Sequence, residues 1–268
     1  MKKLIVVTLV LIMALTSVFA AGAKERADNS LEYITKKGTF VLGLDDSFPP
    51  FGYRDENNQI VGFDIDVARE VCKRLGVELV LQPIDWNAKD MELNSKQIDC
   101  IWNGFTATEE RKTQVTFSDP YVKNAQVVVV LDKSNYKSLA DLAGKTIGVQ
   151  AGSSAGEAID GTPDFKKSVK NIVEFKDNLM ALMDLEVGGV DAVVLDVLVA
   201  NYEIAKTKTP MRILDESLAD ELFAVGFRLG EQKLADAVNA QMKAMAKDGT
   251  MAQIATKWFG GDITIIEK

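Results

Sequence analysis

The chain has 268 residues, with 31 Lys and Arg against 39 Asp and Glu, a formal charge of -8, two Cys and no His. Without His there is no Ser-His-Asp or Cys-His nucleophile system, no HExxH zinc site and no imidazole base, so any enzyme chemistry would fall to carboxylates or Lys. The acidic balance argues against nucleic acid or an anionic membrane as main partner, and the length suits one large domain or two lobes of roughly 100 residues or more.

Lys2 and Lys3 precede an apolar run from Leu4 to Phe19, interrupted by Thr8, Thr16 and Ser17. Val18-Phe19-Ala20 then places small residues where a signal peptidase cuts, and polar sequence follows. This pattern predicts a secretory signal peptide over residues 1–20; the run is shorter than the ~20 residues of a spanning helix. The first Cys is Cys72, so no lipid-bearing Cys stands at the cleavage site, and a soluble periplasmic protein is expected. Export permits disulfides, and Cys72 and Cys100 are an even pair; a bridge and two buried free thiols both fit. Two isolated Cys without His predict no metal site, and nothing later in the chain reads as transmembrane.

After a short polar lead, 39–45 reads as a strand and Ser47-Phe48-Pro49-Pro50-Phe51 as a loop, because two prolines break regular structure. Asn57-Asn58 suggests a hairpin turn. From Asp64, the apolar positions Ala68, Val71, Cys72 and Leu75 fall at helical spacing, and Gly76 ends the run. A strand at 77–82, a helix at 88–96 and a buried strand at 98–102 complete an α/β unit with a largely parallel sheet. The pattern then restarts: a strand at 126–131, a helical turn at 139–145, a strand at 147–150, a helix from Ser154 to about Ile159 and a strand at 172–175. A helix at 178–187, with Leu179, Leu182 and Met183 inward, a strand at 190–195, a strand over 221–228 and a helix over 231–247 follow. Residues 96–101 (KQIDCI) echo 188–193 (GGVDAV): in each, a turn residue after a helix leads into an apolar strand carrying Asp. That favours two similar lobes over one large sheet.

In open α/β sheets, ligands bind beyond the carboxyl ends of the strands. The residues found there are Asp45, Phe48 and Phe51; Asn103, Gly104, Phe105, Thr106 and Arg111; Gly152, Ser153 and Ser154; and Asp196. Arg can hold a carboxylate bidentately, hydroxyls and backbone N–H groups can share its charge, and Asp accepts from an ammonium. The set suits a free amino acid. Each member also has an ordinary structural explanation: Arg111 as an ion-pair partner of Glu109 or Glu110, Ser153 or Ser154 as an N-cap, Asp196 as a cap of the next helix, the Phe residues and Trp86 and Trp102 as core.

Several short motifs carry a family resemblance: 45–51 (DDSFPPF), 62–68 (GFDIDVA), 103–111 (NGFTATEER), 117–121 (FSDPY), 139–154 and 191–196. In their order and spacing the chain resembles the bacterial extracellular solute-binding proteins, family 3, the polar amino-acid receptors of ABC importers, and the resemblance spans essentially everything after the signal peptide. It implies a two-lobed periplasmic-binding-protein fold (type II), each lobe a mostly parallel sheet flanked by helices, joined by two crossover strands near 122–126 and 221–225. Lobe 1 is expected over 28–123 plus 224–268 and lobe 2 over 124–223. By position, Arg111 would bind the α-carboxylate with Thr106, Ser153 and Ser154; Asp196 and the Asn103–Gly104 region would bind the α-ammonium. Phe48 would stack on the ligand, Phe105 would add a second wall, and Asp45 and Gln150 would meet the side chain. The implied partners are a free amino acid and an ABC permease, for a monomer without cofactor, metal or enzyme activity. Two alternatives stay open: an exported dehydratase-type enzyme on the same fold, and a ligand-presenting partner of a sensor or chemoreceptor.

Overall fold

The computed structural model describes residues 27–266; the predicted signal peptide lies outside them. Among the described residues no helix is long and apolar enough to cross a membrane. Two five-stranded sheets and one three-stranded sheet organise the chain. In the first sheet, β1 (Thr39–Leu44) lies parallel between β5 (Glu78–Pro83) and β6 (Cys100–Ile101). The small sheet is β2 (Ser47–Phe48), β3 (Gly52–Arg54) and β4 (Ile60–Val61), and β7 (Val115–Phe117) forms one edge of the first sheet. In the second sheet, β9 (Thr146–Gln150) lies parallel between β10 (Asn171–Phe175) and β11 (Ala192–Asp196). Two long antiparallel strands complete it, β8 (Val122–Leu131) and β12 (Met211–Phe223). The chain then returns to the first sheet through β13 (Gly226–Arg228), antiparallel to β6 and β7.

Helices cover both sheets: α1 (Ser30–Lys37), α2 (Phe63–Leu75), α3 (Lys89–Asn94), α4 (Ser154–Asp160), α5 (Pro163–Ser168), α6 (Asn178–Val187), α7 (Val197–Lys206), α8 (Gln232–Asp248) and α9 (Thr250–Phe259). Helix α2 buries Ala68, Val71 and Cys72 and stops where Gly76 takes φ +71°, a left-handed value that glycine adopts without strain. Helix α8 buries Leu234, Val238, Met242 and Met245, the face its spacing predicts. Cys72 and Cys100 are both buried free thiols.

The internal echo has a structural basis. Asp99 donates its backbone N–H to the Val41 carbonyl (2.7 Å) while its carboxylate accepts the Val41 N–H (2.8 Å). Asp191 repeats this on Thr146, at 2.8 and 2.9 Å. In each sheet one Asp thus closes both backbone groups of a residue on the central parallel strand. A left-handed residue follows each preceding helix: Lys96 (φ +65°), two residues past the end of α3, and Gly188 (φ +81°), directly after α6.

The two long strands form the crossover between lobes: Val122 pairs with Phe223, Asn124 with Glu221 and Gln126 with Ala219. The single strand expected over 221–228 is two. Ala224 N–H bonds to the Phe105 carbonyl (2.9 Å) and Val225 N–H to Ser118 Oγ (2.8 Å), so the ladder breaks where the chain passes from one sheet to the other. Helix α6 also departs from expectation. Met183 is 65% exposed, and the inward face is Asn178, Ala181, Leu182 and Leu185. The helix is apolar nearly all round, so its period does not reveal which side is covered.

Candidate ligand site

The carboxyl ends of the parallel strands face each other across the two lobes. Arg111 opens a one-turn 3-10 segment after the loop that follows β6. That loop is fixed by Thr106 bridging Phe223 and by Ala107 N–H bonding to the Leu222 carbonyl at 3.0 Å. The Arg111 guanidinium is buried and lies over the Phe105 ring, 4.8 Å from the centroid, and burial lowers its pKa from the ordinary value. Nη1 donates to the Thr106 carbonyl (3.1 Å), Nη2 to the Gly152 carbonyl (3.2 Å), and Nε lies 3.5 Å from Glu157 Oε1. Guanidinium carries five N–H donors, so each terminal nitrogen keeps one hydrogen for a further acceptor. Phe105, fully buried beneath the guanidinium and edge-on to Trp86, serves as a platform for Arg111.

Thr106 joins this cation to a group of acids. Its Oγ1 donates to Glu221 Oε2 (3.1 Å) and accepts from Ser154 Oγ (3.2 Å). Asp196 ends β11, and Glu221 lies on β12 opposite Asn124. Asn124 Nδ2 donates to Asp196 Oδ1 (2.6 Å) and Glu221 Oε2 (2.8 Å); Gln126 Nε2 donates to the same two oxygens at 3.0 Å each. Burial, and then the adjacent Glu221 charge, hold the Asp196 carboxyl well above the usual carboxylate range. Ser153 is the N-cap of α4: its Oγ accepts the Ala155 N–H at 3.3 Å and donates to the Gln150 carbonyl at 2.8 Å.

A second cluster spans the lobes further along the cleft. Gln150 Nε2 donates to Asp45 Oδ2 (2.7 Å), and Asn178 Nδ2 donates to Gln150 Oε1 (3.2 Å). Asp45 also takes the Ser47 N–H (2.9 Å), its own N–H bonds to Asn103 Oδ1 (3.2 Å), and burial pushes its carboxyl up to about 6. Phe48 is buried beside Phe51, with ring centroids 5.8 Å apart.

Gly104 sets the position of that ring. It has φ +56°, and a Cβ there would lie 2.6 Å from Phe48 Cε1. Its N–H donates to the fully buried Asp64 (2.7 Å), which also accepts from Tyr121 Oη (2.9 Å). Gly104→Ala is expected to destabilise the protein by about 1–3 kcal/mol through left-handed strain and overpacking. It should also weaken ligand binding by displacing Phe48; urea unfolding and calorimetric titration read the two effects separately.

Residues 40–261 match the family model described as bacterial extracellular solute-binding proteins, family 3. The chain belongs to this family. The L-cystine-binding protein TcyJ of Escherichia coli K12 is 32% identical over 258 residues, covering 94% of this chain and 95% of that protein. The crystal structure of Tv2483 bound to L-arginine matches with TM-score 0.86 and 33% identity over 89% of this chain and 98% of that one. A histidine-bound ABC uptake transporter substrate-binding protein from Streptococcus pneumoniae gives TM-score 0.86 and 34% identity over the same shares. The neighbours fix the architecture as the type II periplasmic-binding-protein fold.

In this solute-binding protein the lobes meet through pairs that the sequence does not announce. Lys89 is buried on α3 and donates to the Gly152 carbonyl at 2.8 Å, the same oxygen that Arg111 reaches. Burial, and then Arg111, bring its pKa down to about 8. At the rim, Tyr202 Oη donates to Tyr53 Oη (2.9 Å), beside a cavity of about 590 Å³ lined by Asp46, Arg54 and Lys206 among others. Asn124, Gln126, Asn178 and Glu221 are absent from the sequence-based site. Alternation along β8 puts two amides on one face of a strand that is apolar apart from exposed Lys123, and that is the available signal for Asn124 and Gln126.

Proposed function

We propose that this protein captures a free polar α-amino acid between its lobes in the periplasm and presents it to an ABC transporter permease. The observation that supports this best is the buried pairing of opposite charges around Thr106. The Arg111 guanidinium bonds to the Thr106 carbonyl, and the Glu221–Asp196 carboxylates begin at the Thr106 hydroxyl. A zwitterion presents its two charges about one residue apart, and this site offers the matching pair. Arg111, with Thr106, Ser153 and Ser154, is assigned to the α-carboxylate, and Asp196 with the Asn103–Gly104 region to the α-ammonium. Phe48 is assigned to stack on the ligand. Asp45 and Gln150, with Asn178 behind them, face its side chain; a carboxylate and an amide suit a cationic or amide-bearing group, and cystine, arginine and histidine are the ligands named for the relatives above. The cleft carboxylates are assigned to binding and not to proton transfer, which makes the protein a receptor rather than an enzyme.

Lobe 1 is assigned to 28–123 plus 224–268 and lobe 2 to 124–223, in keeping with the strands each sheet uses. The chain is proposed to act as a soluble monomer after losing residues 1–20. Charge-assisted hydrogen bonds contribute roughly 1.5–3 kcal/mol each. Several of them, less the cost of ordering ligand and lobes, give an affinity near micromolar, about -8 kcal/mol. Because the ligand would touch both lobes, it favours the closed state selectively. A thermal-shift screen of the free amino acids and cystine tests the reading. A micromolar ligand at millimolar concentration adds about 4 kcal/mol, a rise of about 10 °C for a chain of this size. No shift with any of them would remove the amino-acid assignment.

A further inference from the structure

We propose that Glu221 is the second carboxylate of the ammonium seat, and that an arriving α-ammonium displaces a proton held on Asp196 beside Glu221, so that amino-acid binding releases one proton to the buffer. The inference rests on the function proposed above and deepens it. Strand register builds the pair: Asn124 lies opposite Glu221 on β12, and Gln126 lies opposite Asp196 on β11. Each amide nitrogen donates to both carboxylates, at 2.6 to 3.0 Å, which draws Asp196 Oδ1 and Glu221 Oε2 onto the same two donors. Both side chains are buried. Two like charges so placed do not ionise together unless a cation joins them.

The other groups facing the pair are few. Thr106 and Ser154 bring neutral hydroxyls. Arg111, from the first lobe, is the facing cation, and its guanidinium is already engaged by the Thr106 and Gly152 carbonyls and by Glu157. Asp220, next along β12, is exposed. The shift of the Asp196 carboxyl well above its ordinary range, from burial and then from Glu221, agrees with a retained proton. The two amides also leave carbonyl oxygens free: Asn124 Oδ1 and Gln126 Oε1 are buried without a hydrogen-bond partner, and an ammonium would supply the missing donors. All four residues stand on the second sheet and its crossover, so the pair stays assembled when the lobes part. The ammonium brings the positive charge that the displaced proton removes, and the net charge of the seat is unchanged.

Calorimetric titration of the mature protein with L-arginine and with L-cystine, in phosphate and in Tris at pH 7.5, tests this. At that pH Asp45, with its value of about 6, is already ionised; Lys89, with its value of about 8, is partly neutral and takes up a fraction of a proton beside the ligand carboxylate, an uptake that Glu221→Gln retains and that is read from that variant. The dependence of the observed heat on buffer ionisation enthalpy is expected to give close to one proton released per amino acid bound. Glu221→Gln should bring that number towards zero and weaken binding about 10- to 100-fold. Measurable wild-type binding with no proton release overturns the inference and leaves the receptor reading standing, and this measurement needs no variant. Proton release unchanged in Glu221→Gln overturns it equally. If the wild type binds no free amino acid at all, both the function and this inference fall together.

Discussion

Arg111→Ala is expected to weaken amino-acid binding by at least about 100-fold while the protein still folds. Removing one partner of a buried, hydrogen-bonded charge pair costs about 2–5 kcal/mol or more in binding, and in this site the missing group would be the planar guanidinium assigned to the ligand carboxylate, with the Lys89 ammonium left bonded to Gly152. The fold should survive because the cores of both lobes lie elsewhere, behind the sheets and under helices such as α2 and α8. Three groups lose a partner in the variant: the Gly152 carbonyl, which keeps Lys89, the Thr106 carbonyl, which keeps the Thr108 N–H, and Glu157, which is partly exposed and can be hydrated. A modest loss of melting temperature is therefore expected beside the large loss of affinity. Arg111→Lys should recover little of the affinity, since an ammonium cannot reproduce the planar fork. Calorimetry paired with thermal unfolding separates the two effects, and an affinity unchanged in Arg111→Ala would remove Arg111 from the site.

Asp196→Asn is expected to act in opposite directions on stability and on binding. The amide oxygen introduced by this exchange can keep the hydrogen bonds from Asn124 and Gln126 that Asp196 Oδ1 receives. The exchange also removes one of two adjacent buried carboxylates, so the ligand-free protein should melt at the same temperature or higher. Binding should fall at least about 100-fold, because the ligand ammonium loses a buried counter-charge. The sign with pH follows from the raised pKa of Asp196. A carboxyl whose folded-state pKa lies above its unfolded value favours the folded state at low pH and loses that advantage as pH rises through the folded value. The wild type should therefore lose stability relative to Asp196→Asn as pH rises from the ordinary Asp range, near ~3.9, up through that raised value. Equal melting curves across the range, or a variant that binds as well as the wild type, would contradict the assignment.

The alternation of apolar strands and amphipathic helices predicts β1, β5, β9, β11, α2 and α8, because each of these elements has a distinct hydrophobic pattern bounded by turn residues. The repeated Asp in 96–101 and 188–193 points to two lobes, and the two residues do the same work on Val41 and Thr146. Helices α1, α5, α7 and α9 escape that reading. Residues 211–220 escape it as a strand because their burial alternates only irregularly, with register shifts between Ile213 and Ala219. In the site, residues directly after strand ends are legible because topology places them there. Glu221, Asn124 and Lys89 are not. Glu221 and Asn124 become neighbours only when the crossover strands pair, across a separation of 97 residues. Lys89 looks like an exposed helix residue until Gly152 of the other lobe covers it.

The central claim is that the cleft reads both charges of a free amino acid at once, Arg111 on one side and Asp196 with its partners on the other. The most direct measurement is calorimetric titration with whichever of L-arginine and L-cystine binds, set beside its α-N-acetyl and α-carboxyl methyl ester derivatives. The account predicts a micromolar Kd for the free amino acid and at least a ~100-fold loss for each derivative, since each removes one of two buried charge pairs. An N-acetyl or ester derivative that bound as tightly as the free amino acid would contradict it.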